Sequence, residues 1–149
     1  MKNFKTGIRI KLTNPDDETQ PINAVFATVR SNPELLELIN KIAEADTAET
    51  IASKKAELIH QKIRFAETEK EIKAVEKEYY DAVKNTTNSS MVLFDAIRDF
   101  VYQGYKLAGA TDERAKMLTD VTDVEYLQLL KAKCMYGAGS LDFTLPEDQ

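Results

Sequence analysis

Residues 48–84 read AETIASKKAELIHQKIRFAETEKEIKAVEKEYYDAVK, with no proline and no glycine. Uninterrupted by either breaker, the stretch predicts one helix, about 55 Å long at ~1.5 Å rise per residue. Ile51, Leu58, Phe65, Ile72 and Tyr79 recur at strict sevens. A seven-residue spacing keeps one apolar seam on one side of a gently supercoiled helix. The second seam is polar at Lys54, Gln61 and Thr68 and turns apolar only at Val75 and Ala82, while Ile59 and Ile63 widen the stripe. A bundle or coiled-coil helix with an uneven partner face is expected. Glu69 and Lys73 supply a favourable i, i+4 pair.

Upstream, SNPELLELINKIAEA opens another helix: Ser31 or Asn32 caps it, Pro33 suits its first position, and Leu35, Leu38, Ile39 and Ile42 line one face. Before it, FKTGIRIKLT alternates, with Ile8, Ile10 and Leu12 on one side and Arg9 and Lys11 on the other, which predicts a strand. After the turn cluster NPDDETQP, the segment INAVFATVR fits a helical stripe or the return strand of a hairpin, and the hairpin is preferred.

Downstream, NTTNSS (85–90) is expected to break the long helix and cap the next. MVLFDAIRDFVYQGYKLAG then forms the most apolar helix, with Gly104 allowing the close approach of another helix and Gly109 ending it. Thr111 caps a short helix with Asp112 and Glu113 in its first turn, and Thr122 with Glu125 spells a capping box before DVEYLQLLKAKCMY. In CMYGAGSLDF (134–143), Gly137 follows the last periodic residue. A phosphate cradle needs its glycines before a helix, so these residues read as a C-cap. The tail LDFTLPEDQ, with Leu141, Phe143 and Leu145 alternating, is then a short strand or extended arm able to pair with the N-terminal strand.

The fold expected is mainly α: a helical bundle with one long central helix at about 48–84, plus a small β element from the N-terminal region and the C-terminal tail. A single domain over 1–149 is expected, with a β hairpin or strand plus helix at 1–30, a helical body at 33–136 and an extended acidic tail at 137–149.

Composition narrows function. The net charge of −5 is nearly balanced through residue 136, and the tail from residue 137 holds three acids and no base. No basic stripe is present to neutralise phosphates, so no nucleic-acid partner is expected. No apolar run is long enough for a membrane, and no apolar signal core occupies the first twenty residues. With a single cysteine, Cys134, a reducing, cytoplasmic location is expected. His60 is the only histidine, and with one cysteine it cannot make a zinc site without carboxylates. Asp112, Glu113, Asp120, Asp123 and Glu125 cluster in sequence but lack the spacing of a calcium loop. No catalytic, cofactor-binding or metal residues are assigned, and neither a cofactor nor a small-molecule ligand is expected.

The run FDAIRDFVYQGY, with the short acidic turn and the Leu-rich helix after it, resembles the C-terminal half of small tail assembly chaperones and accessory proteins of tailed phages. The resemblance covers residues 91–136 and implies a non-enzymatic protein that binds another virion protein through hydrophobic helices, in the host cytoplasm or the virion. It carries over no functional residues. The expected role is thus a structural or assembly protein that self-associates or docks on a protein partner. Its interface candidates are Ile51, Leu58, Phe65, Ile72, Tyr79, Phe94, Phe100, Leu141 and Phe143. A small acidic inhibitor or antitoxin-like protein that occludes an enzyme is the alternative, and an enzyme using carboxylates and tyrosines would be a third class without a recognisable constellation.

Overall fold

The computed structural model describes residues 7–123, 127–137, 140–142 and 144. Their order is β1 (Ile8–Leu12), β2 (Ile22–Phe26), α1 (Glu34–Gln61), a 3₁₀ turn (Lys62–Phe65), α2 (Glu69–Leu107), α3 (Asp112–Val121), α4 (Leu127–Tyr136) and β3 (Ser140–Asp142). The protein is mainly helical with a small sheet, and its longest helix is α2, at 39 residues. The chain divides into two compact units, one of Met1–Ile39 with Ile97–Gln149 and one of Asn40–Ala96.

The first unit holds the sheet. β1 alternates as its sequence demands: Ile8, Ile10 and Leu12 are buried while Arg9 and Lys11 are exposed. β2 is the antiparallel return strand, with Ile8 opposite Phe26 and Leu12 opposite Ile22. β3 joins the other edge of β1 in parallel, Ile10 opposite Leu141, so the strand order is β2-β1-β3. Buried in the same unit as this side of the sheet are Phe100, Val101 and Tyr105 of α2, Ala115 and Leu118 of α3, and Leu127, Leu130 and Cys134 of α4.

Phe26 is fully buried beside two of them. Its ring meets Phe100 at 5.4 Å and Tyr105 at 5.2 Å, both edge-on, the favoured arrangement for aromatic pairs. Gly104 gives the ring its space: a Cβ there would lie less than 3.0 Å from three ring atoms. The close neighbour at Gly104 is thus not another helix, as expected, but an aromatic side chain of the sheet. The Gly104 carbonyl also accepts from Ala27 N–H at 2.9 Å, tying the end of β2 to α2.

Helix ends follow local chemistry. Gly109 and Gly137 both take positive φ (116° and 71°), where L side chains are strained, and α2 and α4 end just before them. Gly137 N–H closes on the Lys133 carbonyl at 2.8 Å, so CMYGAGS leaves a helix as its spacing predicts. Thr111 caps α3 by accepting from Arg114 N–H at 3.2 Å. Thr122, the first residue of the expected capping box, is buried. Its hydroxyl donates to Leu118 C=O at 2.7 Å, which leaves its oxygen to accept from the buried Tyr105 hydroxyl at 2.6 Å. The Glu125 half of that box lies outside the described residues.

The second unit is a helical hairpin built from α1 and α2, and here the helix boundaries differ from expectation. Residues 48–84 are not one helix: the chain turns through Lys62–Thr68, with Ala66 extended at φ −76°, ψ 125°. Thr68 restarts the chain as a helix by accepting from Glu71 N–H at 3.1 Å, while the Glu71 carboxylate accepts from Glu67 N–H at 3.0 Å. That is a capping arrangement written in the sequence as Thr-Glu-Lys-Glu. NTTNSS, conversely, breaks nothing. Thr86 and Thr87 donate to the carbonyls of Ala82 and Val83, both at 3.1 Å, which satisfies the hydroxyls inside a continuing helix.

Candidate functional site

The hairpin is where sequence and structure assign different seams. On the part of α1 within the hairpin, from Asn40 onward, the buried side chains are Ile42, Ala45, Ala52, Ala56 and Ile59. On α2 half-buried positions recur at Ile72, Val75, Tyr79, Ala82, Thr86, Ser89, Leu93 and Ala96, alternating threes and fours, with Ser90 half-buried beside them. Both series are heptad seams. The one on α1 is displaced by a single residue from the apolar series read in sequence, with Ala52 and Ile59 inside where Ile51 and Leu58 were expected. Small residues win because Ala45, Ala52 and Ala56 let the helices approach, and Ala82, Thr86 and Ser89 continue the small surface on α2.

That register determines the fate of the interface candidates. Ile72 and Tyr79 belong to the hairpin seam. Ile51 and Leu58 are each 62% exposed and Phe65 is 81% exposed. Phe94 is 50% exposed, whereas Phe100 is fully buried in the sheet-bearing unit, so it is core and offers no surface. Leu141 lies in β3, and Phe143 is outside the described residues. Sequence reasoning missed Tyr80, Val83, Met91 and Val92, which α2 leaves exposed beside Phe94. The signal was present: Tyr80, Val83, Thr87, Met91 and Phe94 recur at helical spacing on a face other than that of Ile72 and Tyr79.

Two grooves flank the hairpin seam. One, of 340 Å³, is lined by Ser53, Ala56, Glu57 and His60 of α1 and Tyr79, Val83, Thr86 and Thr87 of α2. The His60 ring lies 5.0 Å from that of Tyr79. The other, of 250 Å³, runs between Ala52, Lys55 and Ile59 and the Glu78–Asn85 stretch of α2. Lys62 and Glu78 form an ion pair at 3.5 Å. It is largely solvated and contributes little stability.

In the sheet-bearing unit, the outward face of the sheet forms an open groove of 490 Å³ lined by Arg9, Lys11, Asn23, Val25 and Asp142. The Thr144 hydroxyl, with a smaller contribution from Lys11, holds Asp142 below the usual carboxylate range. Cys134 is a core residue: its thiol donates to Ala27 C=O at 3.3 Å, and burial pushes its pKa up to about 11. Such a thiol is a poor nucleophile at neutral pH. Asp112 is ion-paired with Lys106, which keeps its carboxyl low, and accepts from Tyr102 at 3.2 Å. Asp120 is paired with Arg98. Among the described residues, no three His, Cys, Asp or Glu side chains are grouped to hold a metal ion. Among those residues, too, no helix is long and apolar enough to cross a membrane.

Compared with protein-family models, curated proteins and solved structures, the chain matches none.

Proposed function

We propose that this protein is a non-enzymatic assembly protein whose helical hairpin docks on another protein. The observation that carries the reading is the exposure of Ile51, Leu58 and Phe65 at seven-residue spacing along one helix and the turn after it. Large apolar side chains in an ordered row mark an interaction surface, because leaving them in water costs the hydrophobic free energy that a partner would recover. Cys134 and the Tyr105 hydroxyl are buried and hydrogen-bonded within the core, where they serve packing. The resemblance of residues 91–136 to tail assembly chaperones of phages suggests the kind of partner: a structural subunit held through helices before it is incorporated, in the cytoplasm of the producing cell.

The test is a double variant, Leu58→Asp with Phe65→Asp, compared with wild type for recovery of a stoichiometric cross-linked partner from the native source. Loss of the partner with helix content unchanged by circular dichroism is the expected outcome. Retention of the partner overturns the assignment of this row, and collapse of the helix signal would place the row in a core.

A further inference from the structure

The second apolar row, on α2, has a property the first lacks. Tyr80, Val83, Thr87, Met91 and Phe94 are separated by three, four, four and three residues, an order that reads the same from either end. Two copies of α2 laid antiparallel about a two-fold axis at Thr87 therefore match position for position. Tyr80 meets Phe94 of the second copy, Val83 meets Met91 of the second copy, and the two Thr87 side chains meet on the axis. Steps of three and four that average about 3.5 residues keep such a row facing one neighbour over several turns. None of the five positions is charged, and Tyr80, Met91 and Phe94 are each half or more exposed.

We infer that this face pairs with a second copy of the chain, the two hairpins forming an antiparallel four-helix bundle. Charge supports the register. In an antiparallel pair, the flank that carries Lys77 and Lys84 on one helix, the latter 4.8 Å over the Tyr80 ring, faces the same flank of the other, where Asp95 of the second copy falls within two positions of Lys77. The symmetry produces this opposite-charge pair twice. Shape supports it as well. Val83 and Thr87 line the 340 Å³ groove shared with Ser53, Glu57 and His60, so Met91 of the second copy, lying opposite Val83, arrives beside an open slot. A flexible thioether is suited to filling an irregular slot. A two-helix hairpin buries one row on each helix, and pairing two hairpins is the ordinary way to bury a second. The row spans ~21 Å of helix at ~1.5 Å per residue. A contact of about four helical turns is short for a protein interface, and dissociation on the order of micromolar is expected.

This inference rests on the reading of the hairpin as an interaction module, but uses a different row, so the two fail separately. The experiment begins with solution mass by light scattering over protein concentrations of about 2–200 μM, bracketing the expected dissociation constant. The mass should rise from 16.8 kDa towards twice that value. Disulfide trapping then reads the register. Thr87→Cys alone should link two copies under mild oxidation. Val83→Cys and Met91→Cys should each link poorly alone and well when mixed. The wild type supplies the control, since Cys134 is buried. Lys77→Glu should weaken pairing about threefold to tenfold, and adding Asp95→Lys should restore it, a recovery that mere misfolding would not give. A mass fixed at 16.8 kDa at the highest concentration overturns the inference and leaves the α1 row to its own test. Val83→Cys linking as fast alone as in the mixture overturns the antiparallel register.

Discussion

Replacing Gly104 with alanine adds one methyl group to a helix, where alanine is normally worth about 1 kcal/mol over glycine. Here the sign should reverse. The new Cβ would fall less than 3.0 Å from three atoms of the Phe26 ring, against an ordinary contact of 3.4–4 Å. Phe26 has no exposed surface and is held between Phe100 at 5.4 Å and Tyr105 at 5.2 Å, so it cannot swing into solvent. Overpacking of a close-packed core costs about 1–3 kcal/mol and the upper end applies, because a ring and not a flexible chain end must move. Subtracting the helix-propensity gain leaves a loss of about 2 kcal/mol, or a fall in Tm of about 4–8 °C for a chain of this size. Thermal unfolding followed by circular dichroism measures it. The double-mutant cycle isolates the cause: Phe26→Leu removes the far edge of the ring, and Gly104→Ala should then cost nothing or stabilise. A Gly104→Ala protein with unchanged or raised Tm in the wild-type background would refute the packing argument.

The remaining predictions concern the hairpin and the buried acids. Ala52→Leu should overpack the α1–α2 seam and cost about 1–3 kcal/mol in urea denaturation, whereas Ile51→Lys, one residue away on the exposed side, should stay within about 0.5 kcal/mol of wild type. The opposite ranking would mean that the heptad register read in sequence is the real one. Stability should also be lost in alkali. Burial raises Cys134 from 9.0 to about 11 and Tyr105 from 10.0 to about 12, so each proton is held more tightly folded than unfolded. Their contribution is complete below pH 9 and disappears as pH climbs through the folded values, 11 and then 12. Chemical denaturation between pH 8 and pH 12 should show that decline, and Cys134→Ala with Tyr105→Phe should flatten it.

Much of this fold is legible in the chain because local chemistry and tertiary packing agree. The alternation of Ile8, Ile10 and Leu12 needs no partner to be recognised, and Gly109, Gly137 and Thr111 act at the helix ends their neighbours define. The hairpin is less legible because two local signals point away from the packing. Ile51 and Leu58 outrank Ala52 and Ala56 on any hydrophobicity scale, yet a close helix contact selects for small volume. The polar run at 85–90 looks like a loop, but Thr86 and Ser89 are small enough for the seam and Thr86 satisfies its own hydroxyl against Ala82. The turn at 62–68 carries neither proline nor glycine, and its one sequence mark, Thr68 with Glu71, is hidden inside a charged run. The β3 pairing depends on a parallel contact between segments almost the whole chain apart, which no local pattern encodes.

That pairing sets an order of events during synthesis. The hairpin from Asn40 to Ala96 is made of neighbours in sequence and can close as soon as it emerges, since short loops form fast. The sheet-bearing unit cannot: β1 leaves the ribosome long before β3 and pairs with it only after Asp142 is made. Throughout that interval one edge of β1 lacks the strand that will cover it, and an uncovered strand edge invites pairing with other chains. The charged side chains of Arg9 and Lys11 stand on that waiting strand, where charge discourages such pairing until β3 arrives.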